Sequence, residues 1–125
     1  MANPTAPTGP AAGMMREKVT IQRSTTARVA GTGGTQTTWD ESYVLNQLCA
    51  IQANSTREAV LRSMETGLAQ YTAFFPFGTA IRTQDRVVRA DPAMTLAVTG
   101  HPVDDSGRKA YYRVTLEEVK GGPLG

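Results

Sequence analysis

The sequence predicts an all-β fold, a small and mostly antiparallel β-barrel with long loops and one short α-helix. Three observations lead there. About five or six short segments alternate apolar and polar residues, as half-buried strands do. A single stretch near residues 55–68 changes to the three-and-four spacing of a helix. The chain has 125 residues, and its two ends are poor in core-forming side chains, which leaves residues 15–120 for one compact domain.

The elements follow in order. Residues 1–14 carry Pro4, Pro7 and Pro10 and no charged side chain, so they read as a flexible N-terminal extension. This segment has neither the basic head nor the apolar run of a signal peptide. Val19 and Ile21 share one face of a short strand, with Lys18, Thr20 and Gln22 on the other. Residues 24–38 hold Gly31, Gly33, Gly34 and many threonines, and form either a long polar loop or a splayed hairpin arm. Long segments of this kind often carry partner contacts. Trp39 closes the stretch as an anchor at the core edge. Residues 43–53 are apolar on both faces, as a long barrel strand serving the core and a neighbour would be.

The period then changes. Ser55 and Glu58 fit a capping box, and Val60, Leu61, Met64 and Leu68 form a stripe expected to cover one open end of the barrel. Gly67 is a suitable terminator. Tyr71, Ala73, Phe75 and Phe77 share one parity and supply the aromatic part of the core. Pro76 lacks a ladder donor and belongs at an edge, a bulge or a last pairing position. Residues 85–89 and 94–99 are two short strands separated by Ala90, Asp91 and Pro92. Residues 100–107 form a polar turn region. In residues 109–119, Ala110, Tyr112, Val114 and Leu116 alternate with Tyr111, Arg113, Thr115 and Glu117. Residues 121–125 read as a loose tail.

Composition argues against an enzyme. Charge nearly balances, with 13 basic and 11 acidic residues, so there is no strong electrostatic address. Cys49 is the one cysteine, which rules out an internal disulfide, and its apolar setting makes it a buried thiol. His101 is the one histidine, and nothing near it supports a Ser-His-Asp arrangement. No Cys/His cluster has zinc spacing. The glycines of residues 31–34 lack the lysine of a phosphate loop. Asp104 and Asp105 suit a solvated turn, and Glu117 and Glu118 point to opposite faces. No cofactor, metal or catalytic residue is expected, and no window is long and apolar enough to span a membrane.

The basic residues hold more interest. Arg82, Arg86 and Arg89 fall within eight positions, and Arg16, Lys18 and Arg23 surround the first strand. Repeated around a ring, a modest basic patch becomes a continuous field able to face a phosphate backbone. A cytoplasmic nucleic-acid-binding barrel would need Arg82, Arg86 and Arg89 on one face with exposed aromatics.

The order of these pieces resembles the small head-tail joining, or head-closure, proteins of long-tailed bacteriophages. Residues 15–23 (MREKVTIQR) look like that family's opening strand, and a threonine- and glycine-rich segment then leads to Trp39 and a long strand. Residues 55–58 (STRE) resemble its helix start, and residues 86–88 (RVV) and 112–116 (YRVTL) its later strands. The proline-rich extension and the more elaborate last third, with Asp91-Pro92 and residues 101–105, depart from the commoner pattern. The resemblance implies a structural virion protein, made in the host cytoplasm and placed in the neck between head and tail. It implies a homo-oligomeric ring of about six or twelve copies. One face would meet a portal or adaptor ring and the other a tail terminator, with double-stranded DNA passing through and the head channel closed in part by the ring. A gene-transfer particle would use the same component, and an adaptor or tail terminator is a related role on the same barrel. Interface or channel contacts are then expected at Arg28, Thr32, Gly33, Thr35, Trp39, Arg82, Arg86 and Arg89.

Overall fold

A computed structural model describes residues 2–7, 13–31, 33–54, 56–90, 93–104 and 111–119. Six strands and one helix follow in the order β1 (Glu17–Arg28), β2 (Thr35–Ala53), α1 (Arg57–Thr66), β3 (Gln70–Pro76), β4 (Arg86–Ala90), β5 (Ala93–Val98) and β6 (Tyr111–Glu118). Every strand pairing is antiparallel, and the sheet closes as a barrel in the order β1-β2-β3-β6-β5-β4. The pairing of β1 with β4, from Val19 opposite Arg89 to Gln22 opposite Arg86, completes the ring. The expected all-β barrel with one short helix is therefore the fold.

The alternation of period two places the core. Val19 and Ile21 from β1, Ala73 and Phe75 from β3, Val87 from β4, Leu96 and Val98 from β5, and Val114 and Leu116 from β6 meet inside. Phe75 is the largest of the fully buried side chains. Pro76 takes the last pairing position of β3, opposite Tyr111, where its missing N–H costs the ladder little.

The double-faced segment of β2 has a specific cause. The register with β1 shifts between Val19 and Ile21, and Asn46 adopts φ 56, a left-handed conformation that asparagine tolerates. The bulge flips the alternation, so Val44, Gln47 and Cys49 are buried while Leu45 and Asn46 face out.

Residues 24–38 resolve as the hairpin arm. Pairing of β1 with β2 runs without a break from Ser24 opposite Trp39 to Arg28 opposite Thr35. Val29 N–H then donates to Gly34 O at 2.9 Å, and Gly31 (φ 85) and Gly33 (φ 73) supply the positive φ that the turn needs.

Three expectations change. The helix cap is Thr56, whose hydroxyl accepts from Ala59 N–H at 3.3 Å, so the cap falls one residue later than expected. Ser55 lies outside the described residues. The stripe of Val60, Leu61 and Met64 does not cover the barrel, being 46%, 50% and 76% exposed. The helix buries Ala59 instead, because a methyl side chain lets its backbone come close to β3. Gly67, at φ 69, ends the helix as expected, donating to Ser63 O at 2.8 Å. Finally, residues 2–7 of the expected flexible extension lie against β2, joined to it by Ala2 and Thr5. Backbone hydrogen bonding, which the apolar count of that segment cannot show, holds them there. Residues 8–12, Asp91, Pro92, Asp105, Ala110 and the expected tail at 121–125 lie outside the described residues.

Candidate functional site

The arm is the first surface. Residues 25–28 and 35–38 are all exposed, so the ribbon has no covered face. Its strands touch through their ladder and little else; Thr26 and Thr37 hydroxyls sit 3.4 Å apart across it. Arg28 and Thr35 face each other at its outer end, and Gly33 lies in the turn. Thr32 lies outside the described residues.

At the arm's base Trp39 is half-buried, and the Arg86 guanidinium carbon stands 4.1 Å above its ring centroid. This is cation–π geometry, and it fixes the root of the arm to the wall of the barrel. Trp39 thus anchors the arm as expected, through a partner on β4 rather than through the core.

A buried polar pin stands just inside that root. Asp85 is 2% exposed and accepts from Arg23 at two oxygens, Nε at 3.1 Å and Nη2 at 2.9 Å. Arg82 N–H also donates to Asp85 Oδ2 at 3.0 Å. Arg23 completes its set on Tyr43 OH at 2.8 Å and the Ala80 carbonyl at 3.4 Å. The hydrogen bond to Asp85 outweighs the cost of burial and holds the Arg23 guanidinium above its ordinary value. The sequence places Arg23 in a basic patch around the first strand; in the structure its charge is consumed by Asp85. A lone arginine next to strand-like alternation gives no sign that an aspartate 62 positions away will meet it.

The arginines of β4 do not form one free basic face. Arg89 makes a bidentate pair with Glu17, at 2.5 Å from Nε and 3.0 Å from Nη2, across the β1–β4 seam. Arg86 stacks on Trp39, and Arg82 is exposed. Of the expected contact residues, the structure brings Trp39 and Arg86 together and groups Arg28, Gly33 and Thr35 at the arm's end. It leaves Arg82 alone and neutralises Arg89.

Helix α1 is the second surface. Its outer row of Val60, Leu61 and Met64 is exposed, and its inner side faces an open polar groove shared with Asn54, Gln70, Arg113 and Thr115. The tether is Arg62 Nε to Glu117 Oε2 at 2.6 Å, to which Gln70 Nε2 adds a second donor at 2.8 Å. Arg62, then Gln70, lowers the Glu117 carboxyl below its ordinary value.

Cys49 is fully buried, and burial followed by the Glu17 charge pushes its thiol up to about 12. His101 Nδ1 meets Thr83 Oγ1 at 3.1 Å on the surface. Among the described residues no three His, Cys, Asp or Glu side chains converge as a metal site would need, and no helix is long and apolar enough to cross a membrane.

No protein-family model matches the sequence, and no curated protein matches it either. Among solved structures, the barrel is similar to the solution structure of protein SF1141 from Shigella flexneri 2a. The TM-score is 0.66 at 19% identity, over 87% of this chain and 96% of that one. At that identity the likeness is one of fold.

Proposed function

We propose that the protein is a ring-forming structural subunit of the neck of a phage-like particle, where it joins the head to the tail and helps close the head channel. The observation that carries this reading is the arm. A closed barrel needs no further strand, yet β1 and β2 run on past Ser24 and Trp39 as a ribbon exposed on both faces. An isolated two-stranded ribbon is marginal in water. It becomes useful when a neighbour covers it.

The apolar row on α1 is a second uncovered surface on a different element, and ring closure needs two unlike surfaces on each subunit. The resemblance of the sequence pieces, in their order, to those of head-closure proteins supports this setting. In that setting one ring face meets a portal or adaptor and the other the tail side. Of the expected contact residues, Arg28 at the arm's end and Arg82 are exposed cations that nearby DNA phosphates could meet. Stopper, adaptor and tail terminator would share this barrel, and the order of pieces does not choose among them.

The test is replacement of residues 28–35 by a two-residue turn. The barrel should keep its fold while head-tail joining in particles drops by at least tenfold, scored by counting tailed particles in electron micrographs. Normal yields of joined particles from the shortened chain overturn the role given to the arm. A particle reconstruction that places this chain away from the neck overturns the function.

A further inference from the structure

The long strand β2 has one stretch of edge, beside Tyr43–Gln47, that no barrel strand takes. β1 covers one side of it, and on the other β3 pairs only with Ala50 to Ala53. Residues 42–53 hold no charge and no proline, and Tyr43, Val44 and Ile51 are strong strand formers. An open edge of that composition is a template on which another chain can pair.

Residues 2–7 of the same chain lie on this edge. Ala2 bridges Val44 in parallel, and its N–H donates to Tyr43 O at 2.6 Å. Its methyl group packs half-buried against the core. Thr5 N–H donates to Gln47 Oε1 at 2.8 Å, and Gln47 Nε2 donates to Thr5 O and to Leu48 O, each at 2.9 Å. Gln47 is fully buried, where an amide without partners would be costly. The bulge that turns Gln47 inward is thus matched to the segment that satisfies it.

The covering segment differs from what it covers. Asn3, Pro4 and Ala6 are exposed, and Pro4 and Pro7 have no N–H to offer a further strand. An edge well suited to pairing lies beneath, and a blunted one faces out.

We propose that residues 2–7 are a guard strand, which occupies the Tyr43–Gln47 edge of its own barrel and keeps that edge from pairing with other chains. The guard is anchored at Ala2 and Thr5, while the buried core is drawn from the barrel strands and Ile81, so the guard can open without unfolding the barrel. Once it is open, the bare edge presents unpaired backbone groups beside an uncharged face and draws a second strand to itself. The inference concerns the single subunit and does not depend on any role in a particle.

Two full-length variants test it. Ala2→Pro with Thr5→Pro removes both N–H donors of the guard and leaves the barrel sequence untouched. Gln47→Met frees Thr5 from the other side and keeps a side chain of similar volume in the core. In each, backbone relaxation at Asn3 and Ala6 should pass from rigid to flexible values, while the amides of Ile21 and Val114 keep their exchange protection. Sedimentation over a dilution series should give the double-proline chain an average mass at least about twofold above that of the unaltered chain. Adding Leu45→Lys to it places a charge on the bared edge and should return the mass to its starting value. If Gln47→Met loosens the barrel, the double-proline chain decides, since its changes lie outside the barrel. A guard that stays rigid in that chain overturns the proposal, as does one that comes loose with no rise in mass. A rise that Leu45→Lys leaves in place overturns it too.

Discussion

The hairpin of β1 and β2 is one continuous ladder with two opposite environments. Its inner half, where Glu17 to Arg23 run beside Asp40 to Cys49, carries Val19, Ile21, Val44 and Cys49 into the core. Its outer half pairs more regularly, without a register shift from Ser24 to Arg28, and buries almost nothing. Pairing therefore does not decide where the domain ends; burial does. Net stabilisation per backbone hydrogen bond is small, and side-chain burial supplies most of what holds a strand pair. The boundary is marked by the pin of Arg23 and Asp85 on one side and the stack of Arg86 on Trp39 on the other.

Breaking the pin should erase that boundary. Asp85→Ala leaves the Arg23 guanidinium with only Tyr43 and a carbonyl in a largely buried place, a loss of about 3 kcal/mol in global stability. The midpoint of urea unfolding measures it. Amide exchange should show more, with protection retreating from Ser24 inward toward Ile21 as the arm lengthens at the barrel's expense. Unchanged protection at Arg23 would mean that the ladder alone holds the root.

Paired substitutions sharpen the contrast. Ile21→Ala removes a fully buried side chain and should cost about 2–4 kcal/mol, while Thr26→Ala, five residues along the same strand, should stay within about 0.5 kcal/mol. Comparable losses at the two positions would show that the arm is covered in the free protein.

Much of this contrast can be read in the residues. Period-two alternation at Val19 and Ile21, and again at Val114 and Leu116, marks the core because a strand buries every second side chain. The threonines and glycines of residues 24–38 mark the arm by having nothing to bury. Other features leave no such trace. The bulge at Asn46 is one extra residue, and it turns Gln47 inward without changing composition. The N-terminal segment docks through its backbone, so counting its apolar side chains misplaces it. On α1 the apolar stripe is real but faces out, because Ala59 allows a closer approach than the larger residues of the stripe. Among the candidate contacts, Trp39 could be read only as an anchor and Arg86 only as part of a basic cluster, since their meeting depends on the β1–β4 closure.

The smallest expected effect concerns α1, which lies outside the barrel like the arm but has a chemical tether. Glu117 is held below its ordinary value of 4.5 in the folded chain by Arg62 and Gln70, so the stability from this contact is complete above that pH. It fades as pH falls through the lowered folded value. Arg62 is exposed and the pair is open to solvent, so salt weakens it further. Nuclear magnetic resonance at low salt should show α1 amide signals near Arg62 losing exchange protection as the pH drops below about 4.5, while amides at Ile21 and Val114 hold theirs. Glu117→Gln should bring the same loosening at neutral pH and remove its pH dependence. If α1 keeps its protection in acid, the helix is held by Ala59 and its groove, and the ion pair only decorates a contact made without it.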